Sequence, residues 1–330
     1  MKHISVVIPK GEIVLSCLDG VYKVFGTANT YLKESGERED DYFKIDLVGI
    51  EEETSIYQGV FGIHPNRLID QVRKTDLVII PAISGDIGAQ LQDNAPYFDW
   101  IRKMYSLGAE VASLCMGAFI LASTGLVDGK SCTTHWLGIE GFEMMFPQVN
   151  LVPEKVVTDE NGIYTSGGAY SFLNLLFHIA EKYCGRECAL YVAKVLEIEV
   201  DRHSQAQFSI FRGQKSHQDQ EIIRAQNYIE SNVEEKISVE DLADMVALSR
   251  RNFIRRFKNA TQNTPLEYIQ RVKIEKAKKS LESSTETVNE IMYSVGYADG
   301  KSFRNTFRKI TGLSPVEYKN KYNRHIAMNN

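Results

Sequence analysis

The sequence lacks the composition of several protein classes. Its 330 residues include only 8 prolines and 5 cysteines, while 43% of the residues are hydrophobic. This balance excludes a disordered, collagen-like or disulfide-stapled chain. The number of cysteines is odd, no CxxC pair occurs, and no histidine tract lies beside them. We therefore expect free thiols in a cytoplasmic protein, with neither a metal site nor a cofactor.

Long hydrophobic runs are also missing. The apolar run Ile4–Ile8 near the start is too short for the core of a secretion signal. The longest stretch without a charged residue, Val111–Val127, is interrupted by serine, threonine and glycine, so it does not predict a membrane helix. The sequence therefore predicts a protein with no membrane partner.

An excess of positive charge, which a nucleic-acid-binding protein needs, is absent from the chain as a whole. The sequence has 38 Lys and Arg against 43 Asp and Glu, a formal net charge of −5. The charge is unevenly distributed, however. Residues 221–330 hold 19 basic and 14 acidic side chains, whereas residues 1–220 hold 19 basic and 29 acidic ones. The chain therefore has an acidic part of net charge −10 and a basic part of net charge +5.

The acidic part alternates apolar strand-like runs with amphipathic stretches of helical length. The predicted strands are Ile4–Ile8, Lys44–Ile50, Asp76–Pro81 and Glu110–Leu114, and the predicted helices include Leu18–Lys33 and Tyr97–Ser106. This order is typical of βαβ units on a largely parallel sheet that is covered on both faces. In such sheets ligands bind outside the carboxyl ends of the strands.

A polar stretch separates the two parts. Residues 213–220 contain no apolar side chain, which is typical of a solvated linker. A length of 330 residues suits about two domains. The sequence therefore predicts a sensor and dimerisation domain at 1–212, a linker at 213–220 and a second domain at 221–330.

One predicted strand end carries a candidate nucleophile. The strand leads to Cys115, with Ser113 two residues before it and Gly117 two residues after it. A nucleophile flanked by small residues suits a sharp strand-to-helix turn, because a strained backbone tolerates no bulky neighbours. The positive end of the following helix would favour the thiolate, and His135 could approach as a base.

The residues around this turn resemble a known family. The segments Ser113-Leu-Cys-Met-Gly-Ala-Phe, Thr133-Thr-His-Trp and Tyr164-Thr-Ser-Gly-Gly-Ala-Tyr are similar to the ThiJ/PfpI branch of the class I glutamine-amidotransferase-like superfamily. The resemblance covers roughly residues 3–200. It implies an α/β flavodoxin-like sandwich with Cys115 on the elbow and His135 close by.

Two departures from the family pattern concern catalysis. Enzymes of this family usually place an acid in the first strand-to-helix connection, and matching the sequences puts Cys17 there. A glycine pair that offers backbone donors near the nucleophile is replaced by Ile83 and Ser84. We therefore expect no enzyme but a ligand pocket with a vestigial nucleophile, lined by Cys115, His135, Cys17, Ile83 and Ser84. In the alternative of a working nucleophile, Glu12 or Asp19 would substitute for the acid.

The basic part contains an internal repeat. Ser249–Tyr268 and Asp299–Tyr318 align with six identities at a constant offset of 50 residues. The identical pairs are Phe253/Phe303, Phe257/Phe307, Thr261/Thr311, Pro265/Pro315, Glu267/Glu317 and Tyr268/Tyr318. One supersecondary unit has therefore been used twice.

Each copy has the pattern of a helix-turn-helix. Ser238–Asp241 and Thr287–Glu290 are capping signals, and each precedes a short apolar-faced helix, a turn and a second helix. Phenylalanines four residues apart in that second helix face the core, and Arg, Lys and Asn lie between them. Such a helix enters the major groove, where Arg and Lys pair with guanine and Asn with adenine. Two copies in a locally basic region favour DNA binding over a merely solvated helix face.

Residues from about Gln220 to Tyr318 resemble the AraC family of transcription regulators, and the second copy matches the family signature almost throughout. The resemblance implies seven helices, with a long helix at Leu266–Leu281 that bridges two motifs set in successive major grooves. Gly300 stands where the family often has a longer polar side chain. The resemblance implies base contacts by Arg251, Ile254, Arg255, Lys301, Arg304 and Asn305, with Arg250 and Arg308 on the same DNA-binding face.

We interpret the chain as a one-component transcription regulator, similar to those that join a ThiJ/PfpI-like domain to an AraC-like one. The expected partners are promoter DNA, a small-molecule effector, a second copy of the chain, and RNA polymerase if the protein is an activator. The ligand must bind one arrangement of the domains more tightly than another, because equal affinity for the two arrangements leaves the equilibrium between them unchanged. The alternatives are a cysteine-dependent hydrolase or hydratase of small amides, aldehydes or isonitriles, and a thiol-based redox sensor.

Overall fold

The structure, a computed structural model, describes residues 1–200, 202, 204–215 and 217–323. The chain divides into two units, Met1–Gln205 and Ala206–Asn330. The strands of the first unit are β1 Lys2–Ile8, β2 Phe43–Gly49, β3 Thr54–Ile56, β4 Phe61–Ile63, β5 Arg67–Leu68, β6 Leu77–Ile80, β7 Glu110–Ser113, β8 Ser131–Cys132, β9 Asn150–Leu151, β10 Val157–Glu160 and β11 Ile163–Ser166. Its helices are α1 Leu15–Glu34, α2 Ile87–Asp93, α3 Ala95–Ser106, α4 Ala118–Ser123, α5 Ile139–Met145 and α6 Phe172–Val195.

Seven of these strands form one sheet in the order β10-β11-β7-β6-β1-β2-β5. All neighbours in the sheet are parallel except β10, which runs antiparallel to β11. The four strands predicted from the sequence are confirmed as β1, β2, β6 and β7, and the two predicted helices lie within α1 and α3. Parallel strands place their carboxyl ends at one edge, so the connections that follow β1, β6, β7 and β11 meet there.

Both faces of the sheet are buried, as βαβ connections require. On β1, Ile4 and Val6 contribute to a core cluster with apolar side chains of α1 and α6. Val7 lies on the opposite face, in a second cluster with side chains of α3, α4 and α5. The first unit is therefore an α/β sandwich of the predicted flavodoxin-like class. Within the described ranges, no helix has the length and apolar character needed to cross a membrane.

The second unit is helical. Its described residues form α7 Gln220–Ser231, α8 Val239–Met245, α9 Arg250–Thr261, α10 Pro265–Ser283, α11 Val288–Ser294, α12 Gly300–Thr311 and α13 Pro315–Tyr322. The first part of α10, including Tyr268 and Ile269, packs in one core cluster with α7, α8 and α9. Its later part, including Ile274 and Leu281, packs in another with α11, α12 and α13. The predicted long bridging helix is thus confirmed as α10, which holds both motifs.

The stretch expected to be a solvated linker, 213–220, bonds to the second unit in its described residues. Nζ of Lys215 donates to the Glu230 carboxylate at 2.7 Å, and the His217 ring lies 3.0 Å from Oε1 of Gln226. Side chains of this stretch thus bond to polar side chains of α7, whereas its composition predicts that they bond only to water. The division between the two units falls before this stretch rather than within it.

Candidate functional site

Cys115 lies at the carboxyl end of β7 in a strained backbone conformation. Its φ angle is +55°, in the left-handed region that residues other than glycine rarely adopt. Two residues later, a Cβ atom on Gly117 would lie 2.6 Å from the carbonyl oxygens of Ile80 and Pro81. Backbone atoms cannot swing aside as the end of a side chain can, so only glycine fits there. This contact is the physical reason for the small residue that the elbow pattern contains.

The elbow is held by neighbouring segments at the same edge of the sheet. The Cys115 N–H donates to Oγ of Ser166, at the end of β11, over 3.2 Å. Oγ1 of Thr134 donates to the Cys115 carbonyl over 3.1 Å. The thiol itself lies beside the backbone N–H groups of Met116 and Ala169. The elbow cysteine is therefore fixed by the loop before His135 and by the loop after β11.

Burial dominates the electrostatics of this thiol. Cys115 is 6% exposed, and its burial raises the pKa by more than the two backbone N–H groups lower it. Burial, and to a smaller extent the charge of a Cys115 thiolate, raises the pKa of Cys17 to about 12. Both thiols are therefore protonated at neutral pH. Cys17 lies near Cys115, as the sequence match implied, but it supplies no negative charge there.

Of the two candidate substitutes for the missing acid, one is exposed and the other bonds to a backbone N–H. Asp19 is exposed on α1. Oε2 of Glu12 accepts a hydrogen bond from the N–H of Tyr57 at 3.2 Å. Among the described residues, no carboxylate contributes to the pKa shift of Cys115.

At Ile83 and Ser84, the segment after β6 pairs with the segment before α1. The Ser84 N–H already donates to the Glu12 carbonyl at 3.0 Å, and the Ser84 carbonyl accepts from the side-chain amide of Gln90. Ile83 is buried and pairs with Ile13 in an antiparallel bridge. The N–H of Ser84 is therefore not available to an oxyanion.

His135 contributes a neutral ring to the same region. The ring lies against Gly168, where an added Cβ would approach Cδ2 of His135 to 2.3 Å. Nδ1 accepts a hydrogen bond from the N–H of Leu137 at 3.0 Å, and burial lowers the pKa of the ring. A neutral imidazole whose Nδ1 accepts carries its proton on Nε2. In this arrangement His135 can donate to a ligand, but it cannot take a proton from Cys115 without losing the Leu137 bond.

The two helix-turn-helix motifs of the second unit are built alike. The ring of Phe257 packs edge-on against Tyr268, with centroids 5.3 Å apart and an interplanar angle of 79°. In the second motif Phe307 packs on Tyr318 at 5.4 Å and 78°. All four rings are buried. The repeat seen in the sequence is therefore also a repeat of side-chain packing.

Opposite these rings, α9 and α12 carry the residues expected to contact bases. Ile254 is half-buried, and the others are exposed: Arg251, Arg255, Lys301, Arg304 and Asn305. The guanidinium of Arg255 bonds to Oδ1 of Asn252 on its own helix at 2.9 Å. Both helices thus present exposed basic and amide groups on the face away from the core.

The two flanking arginines of this surface are ion-paired. Arg250 lies 2.5 Å from the Glu240 carboxylate, and Arg308 lies 3.6 Å from the Glu317 carboxylate. All four side chains are more than half exposed. Exposed pairs of this kind contribute little stability, so either arginine can exchange its carboxylate for a phosphate at small cost.

Arg256, which the repeat pattern places on the exposed face, is occupied within the fold. Its guanidinium donates to both carboxylate oxygens of Asp219, at 2.9 and 2.7 Å, and to Glu221 at 2.7 Å. Asp219 also caps α7 by accepting the N–H of Ile222. Arg256 therefore ties α9 to α7. The repeat in the sequence contains a signal for this role. The second copy has Thr306 at the matching position, so an arginine here is not part of the shared DNA-binding pattern.

Sequence reasoning missed Lys273, which joins the two motifs. This lysine is 6% exposed, and its Nζ donates to the carbonyls of Val233 (2.6 Å), Glu235 (2.9 Å) and Val295 (2.9 Å). Burial lowers its pKa. The first two carbonyls precede α8 and the third ends α11, so one amino group links both motifs. Its signal was a lysine in phase with the apolar positions of α10.

Comparison with known proteins finds matches for both units. A DJ-1/PfpI family model matches residues 29–182, and a helix-turn-helix domain model matches residues 242–321. The HTH-type transcriptional regulator GbdR of Pseudomonas aeruginosa is 24% identical over 257 residues, which are 77% of this chain and 68% of that protein. An isonitrile hydratase of Pseudomonas putida is 27% identical over 154 residues, which are 46% of this chain and 62% of that protein.

The fold of the first unit also occurs among solved structures. A putative transcriptional regulator from Vibrio parahaemolyticus superposes with a TM-score of 0.52 and 20% identity, over 59% of this chain and 98% of that one. The hydratase match covers less than half of this chain, whereas the match to the regulator GbdR extends over more than three quarters of it. The chain therefore combines a DJ-1/PfpI domain with an AraC-type helix-turn-helix domain, and it is a DNA-binding transcription regulator.

Proposed function

We propose that this regulator places α9 and α12 in successive major grooves of promoter DNA and that its first unit binds a small metabolite that sets its activity. The observation that carries the DNA part is the duplication. Phe257 and Phe307 pack on their tyrosines with the same geometry, and each helix turns basic and amide side chains outward. Two equivalent recognition helices are what reading two grooves requires.

The proposal assigns two roles to the exposed residues of these helices. Side chains in the first half of each helix read base edges, and the flanking Arg250 and Arg308 neutralise phosphates. The base-reading group is Arg251, Ile254, Arg255, Lys301, Arg304 and Asn305. The phosphate group is Arg250 and Arg308, whose exposed ion pairs open to let DNA replace the carboxylate.

The phosphate role of Arg308 predicts a change in salt dependence. In Arg308→Ala, binding should weaken to a similar extent on every DNA sequence, and the slope of log affinity against log salt should become shallower by about 1. The measurement is fluorescence anisotropy with a labelled duplex at several salt concentrations. Arg186→Ala is the matched control, because Arg186 is another mostly exposed, ion-paired arginine and lies in the first unit. An unchanged slope in Arg308→Ala would remove Arg308 from the phosphate contacts.

The metabolite-binding role rests on the chemistry of the elbow region. The proposed pocket would be lined by the neutral Cys115 and Cys17 thiols, the buried Ile83 side chain and the neutral His135 ring, and a mostly apolar lining of this kind is typical of small-molecule pockets. A thermal-shift screen of metabolites tests this role, since a ligand that prefers the native state raises its stability. We also propose that the protein works as a homodimer in the cytoplasm and contacts RNA polymerase if it activates.

We propose that Cys115 is not a nucleophile, and Cys115→Ser tests this directly. The thiol is protonated, no described carboxylate acts on it, and the N–H of Ser84 is already used. The variant should therefore bind DNA and control a reporter promoter as the wild type does. The rival is a hydrolase or hydratase of small amides, aldehydes or isonitriles. Turnover of such a substrate by the wild type, lost in Cys115→Ser, would establish that rival.

The raised pKa of Cys115 predicts a slow reaction with alkylating reagents. A pKa above the ordinary value leaves less thiolate at pH 7–8 than a free cysteine has, and the thiolate is the reactive form. The rate at Cys115 should therefore stay low at neutral pH and rise only at higher pH than for glutathione. Iodoacetamide labelling followed by peptide mass spectrometry resolves the five cysteines. Fast labelling at pH 7 would instead support the redox-sensor alternative.

A further inference from the structure

Gln205, the last residue of the first unit, is a buried and fully bonded side chain that sequence reasoning did not identify. It is 2% exposed. Its Nε2 lies within hydrogen-bond distance of four oxygen atoms, and its Oε1 accepts the N–H of Gly168 at 2.7 Å. The four oxygens are Oγ1 of Thr133 at 3.1 Å and the carbonyls of Thr134 at 3.0 Å, Pro153 at 2.8 Å and Lys155 at 3.2 Å.

These bonds join the two loops that flank the elbow cysteine. One loop runs through Thr134, whose Oγ1 donates to the Cys115 carbonyl, and continues to His135. The other contains Gly168, and it leads to Ala169, whose N–H meets the Cys115 thiol. The single amide of Gln205 therefore bonds to both loops that flank the proposed ligand site.

The two glycines after β11 are closely packed, Gly167 against the side chain of Gln205 and Gly168 against the ring of His135. A Cβ on Gly167 would lie 2.4 Å from the amide carbon and oxygen of Gln205. A Cβ on Gly168 would lie 2.3 Å from the ring of His135. The ring and the amide are thus packed against adjacent residues of one short loop. A ligand that moves His135 pushes on the backbone that Gln205 holds.

The residues that follow Gln205 are anchored on the second unit. Oε1 of Gln207 accepts from the Tyr322 hydroxyl at 3.3 Å. Nζ of Lys278 donates to the Ser209 carbonyl at 2.6 Å. The N–H of Phe211 donates to Glu275 at 3.1 Å. Lys278 and Glu275 lie on α10, the helix that holds both helix-turn-helix motifs, so this segment joins the chain to the core of the DNA-binding unit.

We infer that Gln205 is the positioning residue through which occupancy of the elbow site changes the DNA-binding unit. A single residue separates Gln205 from Gln207 in the chain. Because so short a connection cannot lengthen, a shift of the Gln205 backbone is transmitted to the segment that is bonded to α10 and α13. When a ligand rearranges the two loops, the hydrogen-bond partners of the Gln205 amide move. Gln205 moves with them, and so does the segment that follows it. The inference rests on the proposed function and adds the route by which the site regulates DNA binding.

Coupling between two sites is reciprocal, which allows a test without the effector. The probe is a duplex that the full-length chain selects from a random-sequence library. Hydrogen–deuterium exchange is followed by mass spectrometry in peptides that cover residues 133–137 and 164–170, with and without this duplex. In the wild type we expect DNA to change the exchange rates there by about 5-fold or more. In Gln205→Met, which keeps the volume and removes the hydrogen bonds, the change should disappear while the duplex still binds.

Asn94→Leu is the matched control. Asn94 is another fully buried amide of the first unit, which donates to the carbonyls of Lys10 and Gln90 and accepts the Lys10 N–H. Its replacement also removes buried hydrogen bonds, but it should leave the DNA-dependent exchange intact. If Gln205→Met does not fold, Thr133→Val decides the question, because it removes one acceptor of the Gln205 amide and should reduce the exchange change.

The outcomes separate this inference from the proposed function. A wild-type chain that selects and binds no duplex would overturn the proposed function. A wild-type chain that binds DNA without any change at residues 133–137 and 164–170 would overturn the inference alone. The inference also fails if the change survives undiminished in Gln205→Met, or in Thr133→Val where the first variant does not fold.

Discussion

Replacing Phe307 with alanine is expected to lower the free energy of unfolding of the second unit by about 3–5 kcal/mol. Phe307 is fully buried, with its ring 5.8 Å from that of Phe303 and 5.4 Å from that of Tyr318. Alanine removes most of these contacts and leaves a cavity that the short helices around it cannot fill. Because the same ring fixes α12 on the core, DNA binding by the second motif should fall as well.

The distribution of tryptophan allows this effect to be assigned to one unit. Both tryptophans, Trp100 and Trp136, belong to the first unit, whereas far-ultraviolet circular dichroism reports helices of both. In denaturant titrations Phe307→Ala should shift the dichroism transition and leave the fluorescence transition in place. Tyr293→Ala, at a ring that is 63% exposed on α11, should change stability by less than about 0.5 kcal/mol. An unshifted dichroism transition in Phe307→Ala would contradict the packing described for this motif.

Phe257→Ala extends the same test to the repeat. Phe257 packs on Tyr268 as Phe307 packs on Tyr318, so the two alanine variants should lose similar stability. A large difference between the two losses of unfolding free energy would mean that the matching rings do not contribute equally to the stability of the two motifs.

Most of the fold follows from patterns that are local in the sequence. The strands that became β1, β2, β6 and β7 are short apolar runs bounded by polar residues, and burial on both faces of a sheet requires that composition. The elbow at Cys115 is likewise marked within five residues, by a small residue two positions before and two positions after the strained cysteine. The DNA-binding unit was the most predictable, since its phenylalanines occur twice at one spacing and each copy carries its own capping residues.

The missing parts of the site depend on contacts between distant residues. Gln205 bonds to Thr133 and Gly168, and Lys273 bonds to carbonyls near both motifs. A lone glutamine in a polar stretch carries no periodic signal, and the phase of Lys273 with the apolar positions of α10 indicates burial without identifying its distant partners. The ion pairs of Arg256 with Asp219 and Glu221 were hidden for the same reason. Polar side chains are predictable by pattern only where their partners are close in sequence.

Arg304→Ala is expected to weaken binding to the cognate promoter by about 1–3 kcal/mol, or about 5- to 150-fold. Arg304 is exposed on α12, and its guanidinium extends back along the helix to Gly300, where an added Cβ would lie 3.1 Å from it. The absence of a side chain at Gly300 thus leaves room for the arginine near the amino end of the recognition helix. That end is the part of such a helix that contacts base edges.

The loss should be specific to one base pair, and this separates base reading from simple charge. Arg304→Lys keeps the positive charge but cannot form the two parallel hydrogen bonds that guanidinium makes with guanine. We therefore expect it to retain the salt dependence of the wild type while losing discrimination at the same base pair as Arg304→Ala. The measurement is gel shift or anisotropy on duplexes mutated one base pair at a time. If both variants instead lose affinity equally on every duplex, Arg304 contacts phosphate, and the reading face of α12 lies nearer Lys301 and Asn305.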